Sequence, residues 1–366
     1  MILYRRVVDQ KIDRHEHGTF VKELVVSRGG TPLAMVRKRA AAREKESLPP
    51  VLLIHGFGQN RNAWHLPSRS FANYLAQAGY DVFNVDLRGH GRSRHFGGRR
   101  ARGVEDYVHE DLPNAVEEVL AVNGKKRVFL LGHSLGGLVS YAGASALGDR
   151  VAGIASVGSP FHFARGSFSL NAIALLFRAL EVSRVPTLNP PLVLGPVGWV
   201  YRRMRRFAES PIYPVPLRGW HKGAIEPEIL DEHMRLAFDR ASFAEMKNMF
   251  EWASKRRFGT KSTDYAAAFR SLDVPLLVIA GDNDDLAPPT SVKPAFDRSL
   301  SRDRTYRTFP LGHIDLLVGR EAPITLWPAV RGWLDARRPR ADGLSVVPPK
   351  EAVASSGRES VLPGSS

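Results

Sequence analysis

The sequence contains no cysteine, and this absence removes several classes of protein at once. Without a thiol the chain can have no disulfide framework, no thiolate zinc site and no cysteine nucleophile. It also lacks an uninterrupted run of about 18 apolar residues, the length that a membrane-spanning helix needs. The first residues, MILYRRVVDQKIDRHEHG, contain no apolar stretch followed by small residues, so they do not resemble a secretory signal. Together these absences predict a cytoplasmic protein.

Motifs for metal or phosphate chemistry are missing as well. No His-Glu-x-x-His pattern and no acidic cluster with metal-ligand spacing occurs, so we predict no metal site. The Gly- and Arg-rich segment DLRGHGRS (86–93) lacks the Gly-Lys-Ser/Thr of a phosphate-binding loop and is predicted to be a structural loop. The sequence therefore indicates no cofactor.

The formal net charge is +15, from 52 Lys and Arg against 37 Asp and Glu. The basic residues are dispersed over several segments and are not interleaved with aromatic residues as in a nucleic-acid stacking platform, so no nucleic-acid partner is predicted. Peripheral contact with an anionic membrane surface fits the charge better. A genome rich in arginine would explain the charge equally well. The sequence assigns no oligomeric state.

Apolar strands alternate with helical segments through most of the chain. VLLIHG (51–56) and KRVFLLG (126–132) are unbroken apolar strands, and GVEDYVHEDLPNAVEEVLAVNG (103–124) between them has a helical pattern. Continuous apolar strands between helices indicate a mostly parallel sheet covered on both faces, an α/β fold. Before them, FVKELVVS (20–27) and PLAMVRKR (32–39) predict a pair of strands.

The strand–helix alternation stops at about residue 161 and returns at about residue 266. The intervening segment, 161–265, has helical stretches and prolines but no clear strand, which predicts a helical cap or lid inserted into one core domain. The core then comprises residues 1–160 and 266–337. The last residues, 338–366, are rich in Pro, Ser and Gly and are predicted to be a disordered tail.

The pentapeptide GHSLG (132–136) carries the main chemical prediction. The pattern Gly-x-Ser-x-Gly between a strand and a helix is typical of a nucleophile elbow, a sharp turn that holds the serine in a strained conformation. Glycines at positions 132 and 136 allow the close approach that the turn needs. The helix that follows directs free N–H groups to the same place. Ser134 is therefore the candidate nucleophile.

A serine hydroxyl needs a base and an acid, which follow the elbow in the order acid, then His. His313, in the loop after the strand RTYRTF, is the candidate general base. The segment AGDNDDLAPP (280–289) offers three carboxylates just past a strand: Asp282, Asp284 and Asp285. We choose Asp284, with Asp282 as the second candidate.

An oxyanion hole requires two backbone N–H donors. One is expected from Leu135, which directly follows the nucleophile, and the other from Phe57, in the loop after the strand VLLIHG. His55 and Gly56 precede Phe57 and put a glycine where the backbone must approach the substrate closely.

These motifs together resemble the α/β-hydrolase superfamily over about residues 50–335. The matching pieces are HGFGQN, DLRGHGRS, GHSLGG, GDNDDLAPP and GHIDLLVG. The resemblance implies an α/β-hydrolase fold with a helical cap inserted before the acid-bearing strand. In that family the acid loop often reads Gly, two residues, Asp, three residues, Pro, which here corresponds to Gly281, Asp284 and Pro288.

Within the superfamily, three features look like the polyhydroxyalkanoate-synthase-like and acid-lipase-like branch: the long insertion and the segments LGHIDLLVG and EWASKRRFGTKSTDYAAAFRSLDVPLLVIAGD. The synthases of that branch use a cysteine where this chain has Ser134, which favours hydrolysis over polymer synthesis. Dehalogenases and epoxide hydrolases of the superfamily have an aspartate there, so the serine argues against those activities too.

The resulting prediction is a serine hydrolase of carboxylic esters, an esterase or lipase, acting on a small-molecule ester or acyl lipid. The apolar stretches IALLF (173–177) and PPLVLGPVGWV (190–200) would either line an acyl site or pack the lid on the core. Two alternatives use the same sequence features: an acyltransferase, and a non-catalytic binding protein on a hydrolase scaffold. An intact Ser–Asp–His set speaks against the last.

Overall fold

The computed structural model describes residues 1–97, 99–168, 170–175, 191–208, 219–260 and 263–338. The strands are β1 (Ile2–Asp13), β2 (Glu16–Val26), β3 (Ala34–Ala40), β4 (Pro50–Ile54), β5 (Asp81–Val85), β6 (Val128–His133), β7 (Val151–Val157), β8 (Pro191–Val193), β9 (Arg240–Ser242), β10 (Leu276–Gly281) and β11 (Arg304–Phe309). The α-helices are α1 (Phe71–Gln77), α2 (Val104–Asp106), α3 (Leu112–Asn123), α4 (Leu135–Leu147), α5 (Gly195–Ala208), α6 (Pro227–Leu236), α7 (Phe243–Ser254), α8 (Tyr265–Arg270), α9 (Pro289–Val292), α10 (Pro294–Arg298), α11 (Asp315–Val318) and α12 (Leu326–Asp335).

Nine strands form one sheet in the order β1-β2-β3-β5-β4-β6-β7-β10-β11. The six strands from β5 to β11 pair in parallel, whereas β1, β2, β3 and β5 pair antiparallel at the other end. The predicted mostly parallel α/β fold is confirmed. The sequence analysis did not predict β1, because this edge strand is largely exposed and lacks an apolar face.

Apolar layers cover both faces of the sheet, and strand β4 shows why its sequence is apolar throughout. Leu52 and Ile54 point to the layer that contains the elbow helix α4, whereas Val51 and Leu53 point to the opposite layer, with α1 and α12. All four are at most 1% exposed. A parallel strand buried on both faces needs apolar residues at every position rather than at alternate ones.

The segment between β7 and β10 contains the helices α5 to α8. It also contains a small antiparallel pair, β8 with β9, in which Pro191 is opposite Ser242. The expectation of no strand in this segment was therefore wrong, because strands of three residues are too short to produce an alternating pattern. Residues 176–177 of the IALLF stretch and the predicted tail from residue 339 lie outside the described residues. Among the described helices none has the length and apolar character needed to cross a membrane.

A buried ionic cluster joins the antiparallel strands to the parallel sheet. The Arg37 guanidinium on β3 donates to both Asp81 carboxylate oxygens, at 2.7–3.1 Å, and to Glu23 Oε2 at 2.9 Å. Arg37 is 7% exposed, Asp81 1% and Glu23 3%. Arg39 lies farther away, 3.5 Å from Glu23 and 3.9 Å from Asp81, so Arg37 is the main partner of the two buried carboxylates.

We expect Arg37→Met to destabilise the fold by about 3–5 kcal/mol, because it leaves two buried carboxylates without their main partner. Urea unfolding at neutral pH measures the change. The control is Arg43→Met: Arg43 pairs with Glu46 at the surface, so its loss should cost less than about 1 kcal/mol. Equal effects of the two substitutions would contradict this account.

Candidate active site

Ser134 lies in a sharp turn between strand β6 and helix α4. Its backbone has φ 52° and ψ −117°, a conformation that costs a non-glycine residue on the order of 1–3 kcal/mol. The turn is held by the Ser134 N–H, which donates to Val157 O at 3.0 Å, and by the Gly137 N–H, which donates to Ser134 O at 3.1 Å. The serine is half-buried, so its side chain is accessible to a ligand.

Two glycines make this turn sterically possible. A Cβ atom at Gly132 would lie 2.3 Å from Gly136 C and from Gly137 N. A Cβ atom at Gly136 would lie 2.3 Å from Ile54 O on the neighbouring strand. The first glycine lets the helix start directly over the strand, and the second lets it pack against β4.

His313 and Asp284 form a buried pair. His313 Nδ1 lies 2.7 Å from Asp284 Oδ2, and the two residues are 6% and 3% exposed. The other carboxylate oxygen, Oδ1, accepts hydrogen bonds from Leu286 N at 2.9 Å and Ala287 N at 2.7 Å. This leaves Oδ2 for the imidazole. Asp282, the second candidate acid, is exposed.

The His–Asp pair lies against the elbow. A methyl group at Gly158, which directly follows Val157, would lie 3.3 Å from both His313 Nδ1 and Asp284 Oδ2. The ring of His133, next to Ser134, has its centre 4.6 Å from the centre of the His313 ring. The structure thus brings the three predicted residues to one edge of the sheet. Among the described residues no hydrogen bond joins the Ser134 hydroxyl to His313.

The two predicted oxyanion donors meet at the same place. Leu135 N–H is at the amino end of the 13-residue helix α4, and Phe57 lies in the turn after β4. A Cβ atom at Gly56 would lie 3.1 Å from Ser134 Cβ, so this turn packs directly on the serine. In the described part of the chain neither amide has a hydrogen-bond acceptor, which leaves both available to a ligand.

Sequence reasoning missed the role of His133, the variable position of the elbow. Its Nε2 lies 3.1 Å from His313 O, to which it donates, and so it holds the backbone of the candidate base. Burial, with the nearby His313 as a smaller cause, keeps the pKa of His133 well below its usual value. No local sequence signal indicates this contact, because it spans 180 residues of chain.

A second missed residue is Asp315, two positions after His313. Its Oδ2 accepts hydrogen bonds from Gly312 N at 2.9 Å and from His221 N at 2.8 Å. Burial raises the pKa of Asp315 to about 7, against the opposing effect of these two N–H groups. Asp315 therefore ties the loop of His313 to the inserted segment.

The inserted segment also contacts the turn after β4, which contains Phe57 and Gly58. Asp239 N donates to Gly58 O at 2.8 Å, and Leu194 N donates to Asp239 O at 2.9 Å. A Cβ atom at Gly58 would lie 2.1 Å from Leu194 Cδ1, so this apolar side chain packs over the turn that contains Phe57. One of the two apolar stretches singled out in the sequence thus lies beside the elbow.

A cavity of about 430 Å³ borders the elbow helix at Leu138, and its lining includes four arginines, Arg165, Arg256, Arg257 and Arg298. Its apolar wall combines Leu138 of α4 with aromatic side chains from the loop after β7 and from the inserted segment. The aromatic residues are Phe161, Phe163, Trp252 and Phe258.

The fold and this edge of the sheet define the class of the protein. A strained serine between a parallel strand and a helix, with two free amides and a His–Asp pair beside it, is the arrangement of an α/β hydrolase. A family model described as serine aminopeptidase, S33 (Hydrolase_4) matches residues 46–317, and the chain belongs to that family.

Individual relatives differ in how much of the chain they match. A poly(3-hydroxyalkanoate) polymerase subunit, PhaC, of Synechocystis sp. is 23% identical over 79% of this chain and 78% of that protein. Epoxide hydrolase B of Mycobacterium tuberculosis is 34% identical, but over 31% of this chain and 29% of that protein. The monoacylglycerol lipase of Paleococcus ferrophilus superposes with a TM-score of 0.57 at 20% identity, over 80% of this chain and 96% of that one. At that identity the superposition shows the shared fold.

We expect Asp315→Ala to slow the labelling of Ser134 by a fluorophosphonate probe by up to about 10²-fold, because the released loop misplaces His313. Asp315→Asn keeps an oxygen that can accept both N–H bonds, so it should recover most of the rate. The rate constant is measured by gel-based probe labelling. A folded Ala variant with the original rate, or an Asn variant no faster than Ala, would contradict this role.

Proposed function

We propose that the protein hydrolyses carboxylic esters through an acyl-enzyme formed on Ser134. His313 is the general base, Asp284 is the acid that orients it, and the Leu135 and Phe57 amides form the oxyanion hole. The observation that carries this proposal is the buried 2.7 Å contact between His313 Nδ1 and Asp284 Oδ2, adjacent to the strained serine.

The proposed reaction follows from the placement of these groups. His313 Nε2 accepts the proton of the Ser134 hydroxyl as its oxygen attacks the ester carbonyl, and the tetrahedral oxyanion binds the two amides. Collapse of the tetrahedral intermediate breaks the ester bond and releases the alcohol, which takes the proton from the imidazole. Water, deprotonated by the same histidine, then attacks the acyl-enzyme, and the Ser134 oxygen takes that proton back from the imidazole as the acid leaves. Asp284 keeps the proton on Nδ1 throughout, so Nε2 is free to exchange protons. The mechanism uses no metal and no cofactor.

An apolar acyl chain is the substrate feature that the surroundings favour. Leu194 packs over the turn of Phe57, so an apolar side chain of the inserted segment lies beside the strained serine. Residues 161–265 would then act as a lid whose apolar residues cover the acyl group. We therefore propose esters or acyl lipids with a medium or long acyl chain as substrates, rather than the peptides that the family description suggests.

We expect Ser134→Ala to reduce kcat for a p-nitrophenyl acyl ester by a factor on the order of 10⁶, and Asp284→Asn by about 10⁴. The reason is that the first removes the nucleophile and the second favours the wrong imidazole tautomer. Initial rates with esters of graded acyl length measure both effects and the chain preference.

The matched control is Asp282→Asn, because Asp282 lies in the same loop but is exposed. Its rate should equal that of the original protein. Undiminished turnover by the Ser134→Ala protein would refute the proposal. Failure of the original protein to react with a fluorophosphonate probe would favour a non-catalytic binding protein on this scaffold.

Acyl transfer is the second candidate function, and the match to the polymerase subunit over 79% of the chain favours it. An alcohol or thiol would then replace water as the acyl acceptor. The serine at the elbow, in place of the cysteine of the polyhydroxyalkanoate synthases, favours water.

We expect the acid to remain the main product when an alcohol competes with water, because the serine acyl-enzyme is an oxygen ester that water attacks as well as an alcohol does. Product analysis by mass spectrometry, with ethanol, glycerol and a hydroxyacyl ester as added acceptors, measures the partition. Predominant formation of a new ester or of an oligomer at low acceptor concentration would assign a transferase instead.

A further inference from the structure

Three basic residues face one another across the antiparallel end of the sheet. Arg6 on β1 is directly opposite Lys22 on β2, and Lys22 is directly opposite Lys38 on β3. Side chains directly opposite across strands lie on the same face, and like charges in that position are destabilising. A row of this kind therefore needs a compensating interaction.

The row borders a cavity of about 190 Å³, which we call the lysine cavity. Its lining residues are Gln10, Lys22, Val36, Lys38, Arg61, Asn62, His65, Pro67, Ala72, Val82, Asn84 and Leu236. They include no Asp or Glu. The volume exceeds the roughly 30 Å³ that one water molecule occupies several times over, so a small ion with a few waters fits.

Lys38 forms the inner wall of the lysine cavity and is 2% exposed. Its Nζ donates to Gln10 Oε1 at 2.6 Å and to Asn73 Oδ1 at 2.7 Å, and it lies 3.2–3.3 Å from both ring nitrogens of His65. Its partners are therefore neutral groups, which solvate an ammonium without cancelling its charge.

Two further cations stand at the mouth of the cavity. Lys22 is half-buried, and its ammonium group has no hydrogen-bond or ion-pair partner among the described residues. Arg61 donates through Nη1 to Asp86 Oδ2 at 2.8 Å, and this pairing leaves its other guanidinium nitrogens available. Asp86 also accepts from Arg61 N and Arg92 N, so this carboxylate is already engaged on the far side of Arg61.

The pKa values of Lys38 and Lys22 agree with a site in which no carboxylate balances the lysines. Burial is the main reason that the pKa of Lys38 lies well below its usual value, and it lowers the pKa of Lys22 to about 8. The neighbouring cations add to both shifts: Lys22 and Arg61 act on Lys38, and Arg6, Arg61 and Arg92 act on Lys22. An anion in the cavity would reverse these effects.

We propose that the lysine cavity binds a small oxyanion, a phosphate or a carboxylate, held directly by Lys22 and Arg61 with Lys38 behind them. Lys22 and Arg61 have free hydrogen-bond donors, and the buried Lys38 behind them has no carboxylate partner. Together they complement the negative charge and the acceptor oxygens of such an ion. The cavity shares no lining residue with the proposed triad or oxyanion hole. The site is therefore a second binding site, independent of the proposed ester hydrolysis.

The test is isothermal titration calorimetry of the full chain at pH 8 and constant ionic strength, with inorganic phosphate, methyl phosphate and acetate as probes. We expect saturable binding with net proton uptake, seen as a dependence of the heat on the buffer's ionisation enthalpy, because the anion raises the pKa of both lysines. Preference for phosphate indicates the free ion, for methyl phosphate an esterified phosphate, and for acetate a carboxylate ligand.

Lys22→Met should weaken binding at least about tenfold and reduce the proton uptake. Because Lys22 is half-buried, its substitution should disturb the fold less than that of the buried Lys38. Lys38→Met is the second variant. Lys247→Met is the control, since Lys247 pairs with Glu251 on a helix outside the lysine cavity and should bind like the original protein. No saturable binding of any probe, or equal affinity in the Lys22→Met protein, would overturn the proposal.

Discussion

The close approach of two backbone segments at the end of β6 is the constraint on which the candidate site depends. Helix α4 begins so near the strand that Gly132 and Gly136 have no space for a side chain. This approach forces Ser134 into a left-handed conformation and directs the Leu135 N–H to the same edge of the sheet. The energy stored in the serine backbone is offset by the packing of a 13-residue helix that is almost wholly buried.

The position of His313 is set from three directions, each by a different part of the chain. Asp284 holds its ring, His133 holds its carbonyl oxygen, and Asp315 holds the loop around it. The third contact reaches His221, in the inserted segment. The same segment also donates a hydrogen bond to the turn that contains Phe57. Movement of the inserted segment would therefore act on both the loop of His313 and the turn of Phe57.

Buried cations have two different environments at the antiparallel end of the sheet. Arg37 lies between two carboxylates, and its pKa is raised by them despite burial. Lys38, one residue further along the same strand but on the opposite face, has amide oxygens and a histidine as neighbours. The first arrangement balances its charge within the protein. The second provides no counter-charge within the protein, so protonated Lys38 is favoured when an anion binds, and for this reason we infer a ligand on that face.

Local patterns were sufficient for the parallel strands, whose apolar runs follow from burial on both faces, and for the elbow, whose glycines and serine are adjacent in the chain. They were insufficient for the exposed edge strand β1 and for the short pair β8–β9, which have no apolar face of their own. By itself the sequence determined the fold class and the nucleophile candidate. Only the tertiary structure showed that Asp284 contacts His313 while Asp282 is exposed, and revealed the contacts of His133 and Asp315 and the lysine cavity. Each of these depends on contacts between residues far apart in the chain, and no local pattern records such contacts.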